Sequence, residues 1–385
     1  MILDSIKPLT KGQEDLLNAL RNEEVKIVGV FGPTGSGKSL FSLAYGIDAV
    51  SSGKYRKLIV SKPIVDIVTQ EEITPKDFGT YKDLIITYIK DVLGGFAEEK
   101  VIDELFSSGK IEILDSRYMR GRSFNNSLIF VDDIQLMRVE SVLEIFIRMG
   151  KDSRLIVAGD PIFQSLRNIK DDPSALIREI LINEKDAKVV DLGVKDIIRE
   201  GAKRGLQIFL EYKLRTRQLS ESEKKILDVS RIYSPDADII TIVDFSEEKK
   251  RLNISTENVP DAIIIVKEGS IGRLVGKKGE RIANIEKDSG KKLRGIELNL
   301  NFKEIVRAVH PVTWIVKHIE DVDFQGNELV VKLKKESGAF MGQKGSHVRL
   351  VDYVIRQLFG IGVKVILPQE TEEKNKETTA EVKRS

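Results

Sequence analysis

Residues 25–192 repeat one pattern: an unbroken apolar, β-branched run that stops at a polar or glycine residue, then a stretch able to form a helix. The runs occupy residues 25–31, 58–61, 111–114, 128–131, 155–158 and 189–192. Continuous apolar character, as opposed to alternation, predicts strands buried on both faces, hence a parallel sheet covered by helices. The expected fold class is α/β and doubly wound. Its ligands belong beyond the carboxyl ends of the strands, so the polar residues that end the runs carry the chemical potential.

Past about residue 215 the pattern changes. It predicts a helix at 221–232, strands at 238–243 and 262–266, a short helix, a glycine loop at 276–279, a helix at 280–287 and a strand at 293–298. The order recurs as helix 302–309, extended segments 314–319 and 329–333, glycine loop 342–345, helix 348–358 and strand 363–367. This is an internal duplication of about 75 residues, suited to two small domains. The expected domains are 1–217, 218–300 and 301–368, with a disordered charged tail at 369–385.

Composition narrows the chemistry. A chain of 385 residues fits two or three domains. There is no cysteine and there are three histidines, which exclude disulfides and thiolate chemistry and make a catalytic zinc improbable. Carboxylates, Lys, Arg and hydroxyls are left to do the work. No run is long enough to span a bilayer and the N-terminus lacks a signal-peptide layout, so a cytoplasmic location is expected. The net charge of +2 means that a nucleic-acid surface must be a local patch.

Gly32-Pro33-Thr34-Gly35-Ser36-Gly37-Lys38-Ser39 fits GxxxxGK[ST] at each fixed position, directly after a predicted strand and before a helical stretch at 40–50. In such a loop backbone N–H groups curl around phosphates, Lys38 reaches the β and γ phosphates of ATP, and Ser39 joins a Mg²⁺ shell. The run at 128–131 ends in Asp132-Asp133, which puts Asp132 toward Mg²⁺ and Asp133 beside the attacking water. A third run ends at Gly159-Asp160 and leads to Gln164, whose amide suits a water or a γ-phosphate.

With these blocks in order, the sequence resembles the PhoH-like ATPases, whose core is akin to superfamily 1 helicases. The resemblance covers roughly residues 9–218 and rests on Gln13, GPTGSGKS, SKPIVD (61–66), LDSRYMRGRSF (114–124), FVDDIQ and AGDPIFQ. It implies a RecA-like P-loop NTPase domain, with Gln13 on the adenine, Gln164 as γ-phosphate sensor, and an arginine offered to the site by Asp196-Ile197-Ile198-Arg199. Two positions depart from the family: Asp133 stands where Glu is usual, and one extra residue separates Asp160 from Gln164. Superfamily 1 enzymes close ATP between two RecA-like domains, whereas this chain has strands for one. That predicts a head-to-tail homo-oligomeric ring, for which the resemblance implies a hexamer, in which Arg199, or else Arg120 or Arg122, reaches the next subunit's ATP.

Gly276-Lys277-Lys278-Gly279 has the form of a KH-domain GXXG loop between two helices, with Arg273 and Arg281 enlarging its basic patch. It recurs as Gly342-Gln343-Lys344-Gly345, followed by His347 and Arg349. The element order is that of two α+β type II KH domains, and residues 219–368 resemble the tandem KH pair of NusA-like proteins. The resemblance implies single-stranded RNA as partner, and the ribosome or another RNP as a possible setting. Aromatic residues are sparse in both loops, so readout is expected from base edges more than from stacking.

Three functions compete. The first is an RNA-dependent ATPase acting as a helicase or RNP remodeller. The second is a nucleotide-switched RNA-binding or ribosome-assembly factor that never separates strands, and the third an RNA kinase.

Overall fold

The computed structural model describes residues 1–66, 78–115, 119–164, 171–256 and 258–367. The tail expected at 369–385 and residues 116–118 of the LDSRYMRGRSF block lie outside them. The chain divides into two compact units, one formed by Met1–Lys203 with Gln325–Asn327 and the other by Arg204–Phe324 with Glu328–Ser385.

In the first unit the six apolar runs become β1 (Ile27–Phe31), β2 (Lys57–Ser61), β3 (Ile111–Ile113), β4 (Ser127–Val131), β5 (Arg154–Gly159) and β6 (Ala187–Asp191). They form one sheet in the order β3-β2-β4-β5-β1-β6, parallel throughout. Successive side chains of a strand serve opposite faces. Leu128 and Phe130 therefore join one buried core, and Ile129 and Val131 the other. Helices Lys11–Arg21, Lys38–Ser51 and Phe78–Leu93 pack on the first core, and Val139–Ile147 and Pro173–Ile182 on the second. Phe31 pairs with Gly159 and Val131 with Val157. Strands β1, β4 and β5 thus run out side by side, which brings Gly32, Asp132 and Asp160 to one edge.

Arg154, fully buried at the start of β5, closes the C-terminus of helix Lys11–Arg21. Its guanidinium donates to the carbonyls of Leu20 (2.7 Å), Ala19 (2.8 Å) and Asn22 (2.9 Å) and to the Tyr45 hydroxyl (2.7 Å). A cation at the carbonyl end of a helix is favoured by the helix dipole, and here it also satisfies acceptors that burial would otherwise leave bare. The other end of that helix carries Gln13.

The second unit contains two three-stranded sheets. Strands β7 (Ile239–Asp244), β8 (Ala262–Val266) and β9 (Leu293–Glu297) lie in that order, the first pair antiparallel and the second parallel. Strands β10 (Ile319–Gln325), β11 (Glu328–Leu333) and β12 (Gly362–Ile366) repeat the order, with β11 and β12 parallel. Each sheet carries a helix–glycine loop–helix between its last two strands, formed by Ile271–Val275 and Glu280–Ser289 in one copy and by Ser337–Met341 and Ser346–Phe359 in the other. The first copy inserts helix Ser246–Arg251 between its first two strands, where the second has only a turn at Gly326. The copies meet directly: Arg294 of β9 donates to the carbonyl of Ala308 (2.8 Å) in helix Phe302–Val309.

One expected element is wrong. Residues 314–319 are extended by expectation, but Thr313–His318 form a 3₁₀ helix and the strand begins at Ile319. The apolar look of that run misleads because Trp314 is not buried, whereas the strand proper hides Val322 and Phe324 among acidic neighbours that mask it. No helix among the described residues is long and apolar enough to cross a membrane.

Candidate nucleotide site and nucleic-acid interface

The loop between β1 and helix Lys38–Ser51 closes through Gly37, whose φ of 101° favours glycine. No side chain caps the start of that helix, so its first N–H groups face the loop as an anion cradle. Lys38 is 6% exposed, and its ammonium donates to the carbonyls of Gly32 (2.6 Å) and Pro33 (3.0 Å) of its own loop. Burial pulls its pKa down, against the opposing pull of Asp160 and Asp132. Ser36 closes the loop from within, its hydroxyl donating to the Pro33 carbonyl (2.7 Å).

The back of the loop is braced twice. Gln13 is buried, its Nε2 donating to the Ser36 carbonyl (3.0 Å) and its Oε1 accepting from the Leu9 N–H (2.9 Å). Both ends of the amide are thus spent on the protein. An adenine contact rests on the resemblance, while the geometry gives Gln13 the work of a brace. The second brace is the Asp196–Arg199 segment, where Ile198 N–H donates to the Gly35 carbonyl (3.3 Å). Asp196 anchors this segment by accepting from the Thr10 hydroxyl (2.5 Å) and the Gly193 N–H (2.7 Å). Arg199, exposed at the start of helix Glu200–Arg215, therefore sits beside its own chain's loop. Arg120 is exposed, and Arg122 is ion-paired with Glu112.

In front of the loop the acids converge. Asp132 is buried at the end of β4 and accepts from the Ser39 hydroxyl (2.7 Å) and from the Tyr88 hydroxyl on the same Oδ2. Lys62 ion-pairs with Asp133, lies 3.7 Å from Asp132 Oδ2, and stands 4.6 Å over the Tyr88 ring. Burial and the Asp132 charge hold the Tyr88 hydroxyl well above its ordinary pKa, so it remains a donor. Asp133, at φ 53°, turns its other oxygen to Gln135 Nε2 (3.1 Å). That nitrogen lies 3.4 Å from Gln164 Oε1, and Gln135 Oε1 accepts from Asp160 N–H (3.0 Å). Asp160 accepts from the N–H groups of Ile162 (3.2 Å) and Phe163 (2.9 Å), and its Oδ2 is buried without a partner. Burial pushes its pKa up.

The structure places Lys38, Ser39, Asp132 and Asp133 together at the loop, with Arg199 behind it and Gln164 linked through Gln135, and adds three neighbours that the sequence did not single out. Lys62 and Gln135 lie inside the blocks SKPIVD and FVDDIQ but drew no role of their own. Tyr88 carried no signal, being one more aromatic residue on an amphipathic helix. The site suits Mg·ATP on its own chemistry: an uncapped helix start, hard oxygens of Ser39 and Asp132 within 2.7 Å of each other, and a buried ammonium.

The two glycine loops share one backbone. Gly276, Lys278 and Gly279 have φ of 75°, 57° and 81°; Gly342, Lys344 and Gly345 have 70°, 52° and 76°. A Cβ on Gly276 would stand 2.6 Å from Arg281 Cγ, and one on Gly342 would collide with the His347 ring, so glycine is required by space as well as by φ. Lys277, Lys278, Gln343, Lys344, Arg273 and Arg349 line the loops, all of them exposed. Arg281 donates to the Arg273 carbonyl (2.8 Å) and ion-pairs with Asp236. His347 makes the matching contact, Nδ1 to the Ala339 carbonyl (3.0 Å). Arg281, expected as an RNA contact, also braces the loop from within, and His347 is its counterpart.

A family described as PhoH-like protein matches residues 5–211, and one described as KH domain matches residues 239–309. The second glycine loop falls outside the latter match. A PhoH-like protein of Synechocystis is 26% identical over 194 residues, 50% of this chain and 58% of that protein. Protein PhoH2 of Thermobispora bispora is 31% identical over 153 residues, 38% of this chain and 34% of that protein. A PhoH-like protein of Bacillus subtilis is 25% identical over 195 residues, 51% of this chain and 60% of that protein. The chain thus spans about a third to three-fifths of the length of these relatives.

Proposed function

The chain belongs to the PhoH-like proteins, and from that premise we propose that it is an ATPase governed by single-stranded RNA held at the glycine loops of its second unit. The observation that carries this reading is the convergence of Ser39, Asp132, Asp133, Gln135 and Gln164 in front of the loop at 32–39. In it, residues 32–39 hold the phosphates of ATP and Ser39 and Asp132 hold Mg²⁺, which when bound supplies charge neutralisation on the phosphates. Asp133 positions the attacking water and Gln164, tied to it through Gln135, reports on the γ-phosphate. The position of Arg199 beside its own loop supports a role in cis, so a ring is not needed to bring in that arginine.

Between a motor and a switch, one observation favours the switch. Lys62 and Gln135 occupy both oxygens of Asp133, so the residue that must orient water is held away from it until Lys62 moves. Slow basal turnover follows. Single-turnover hydrolysis with and without single-stranded RNA tests the reading: stimulation by RNA is expected, and equal rates overturn RNA control. Duplex displacement in the same series separates a helicase, which displaces, from a switch, which does not.

A further inference from the structure

The chain has one tryptophan, Trp314. Instead of lying in a strand it sits on the 3₁₀ helix Thr313–His318 and is 48% exposed. Its ring meets the His318 ring edge to face, with centroids 5.5 Å apart. The neighbouring Ile315 is buried and pins the turn, so Trp314 is presented by a fixed support.

The turn that carries this ring is bordered by lysines. The N–H of Lys334 donates to the His318 carbonyl (2.8 Å), which brings the Lys334-Lys335 pair at the end of β11 to the turn that carries Lys317. All three lysines are exposed, as are the nearby Glu320 and Glu336, and no ion pair among the described residues engages the lysines. The matching place in the first copy is occupied differently: Lys267 pairs with Glu211 (3.3 Å) and Glu268 accepts from Gln207 (3.3 Å). The same segment is tied to the second glycine loop. His310, which precedes the turn, stacks on Phe340 at 4.8 Å, and Phe340 lies in the helix that runs into Gly342. That loop has Gln343 where the first has Lys277, so it offers one cation fewer to a phosphate backbone.

On the reading of these loops as RNA contacts, we propose that Trp314 is a stacking platform for an unpaired base of single-stranded RNA, set in a basic patch of Lys317, Lys334 and Lys335. A rigid, half-exposed indole beside unpaired ammonium groups is what a sequence-tolerant single-strand site requires: the π-face takes any base and the cations take the backbone. The second copy thereby compensates by stacking for the weaker charge of its loop, adding a stacked base to the readout expected mainly from base edges.

The single indole is its own reporter. An oligouridylate of about a dozen nucleotides, within the span of such sites, is titrated into the full chain while Trp314 emission and the anisotropy of labelled RNA are followed. Emission is expected to quench in step with binding. Trp314→Ala is expected to weaken binding roughly five- to hundredfold, and Trp314→Phe to retain most of the affinity. If the parent binds RNA with unchanged emission, or Trp314→Phe and Trp314→Ala bind as tightly as the parent, the platform is refuted while RNA binding stands; a protein partner then becomes the better occupant of the patch. If the parent binds no RNA, the reading of the glycine loops falls as well.

Discussion

The two kinds of glycine loop use lysine in opposite ways. In the phosphate loop Lys38 is buried, folded onto its own carbonyls and attracted by two buried carboxylates. In the loops at 276–279 and 342–345 the lysines stand on the surface, Lys278 and Lys344 on left-handed backbone, while Arg281 and His347 do the clamping. A charge held out of water interacts strongly with whatever displaces its internal partners, and is suited to one ligand in one pose. A charge left in water contributes a weaker, screened attraction that adds up over many phosphates and tolerates many sequences. On the proposed reading, the difference suits the first unit to chemistry and the second to grip.

Lys38→Ala cuts deepest into that contrast. ATP turnover should fall on the order of 10² to 10³ or more, with RNA affinity within about twofold of the parent, since on this reading Lys38 touches only phosphate. Asp132→Asn should behave alike. Rapid-quench hydrolysis beside RNA anisotropy measures both, and matched losses in the two assays would erase the distinction between the regions.

Under the open second loop lies a closed element. His310 accepts from the Val312 N–H (3.0 Å) at Nδ1 and donates from Nε2 to the Phe340 carbonyl (3.0 Å), with burial lowering its pKa to about 4. The folded-state value lies below the unfolded one, so the neutral ring stabilises the fold in full above about pH 6.5 and the contribution is lost as pH falls toward 4. The total is on the order of 3 kcal/mol. Denaturation midpoints taken from pH 7 to pH 4.5 should drop for the parent and flatten for His310→Gln. A parent curve as flat as the variant's would show that the ring is not held neutral.

Replacing Lys277 and Lys278 by Asp withdraws two cations from the RNA backbone and adds repulsion. RNA affinity should fall about tenfold or more, and the slope of log affinity against log salt should shrink by about 0.7 for each phosphate no longer neutralised. Intact affinity at physiological salt would remove this loop from the RNA site.

The mildest test concerns Lys62, which sits in the closed region but acts as a restraint. Lys62→Ala frees one oxygen of Asp133, so hydrolysis without RNA should rise a few-fold and stimulation by RNA should shrink. A fall in the basal rate would instead make Lys62 part of the catalytic set.

What the sequence determined by itself follows from local rules. The four central strands of the first sheet announce themselves because both of their faces are apolar, and the loops at 32–39, 276–279 and 342–345 because glycine spacing is imposed by backbone conformation. The strand at Ile319–Gln325 was hidden because its buried Val322 and Phe324 alternate with acids, while Trp314 in a more apolar run stays in solvent. Tertiary structure alone decided which polar groups meet. Lys62 and Tyr88 reach Asp132 and Asp133 from separate elements, Gln135 meets Asp160, Gln13 spends its amide on Ser36, and Arg199 comes back to its own loop. Such meetings depend on strand order and helix placement, which set neighbours across the sheet, and no spacing along the chain encodes them.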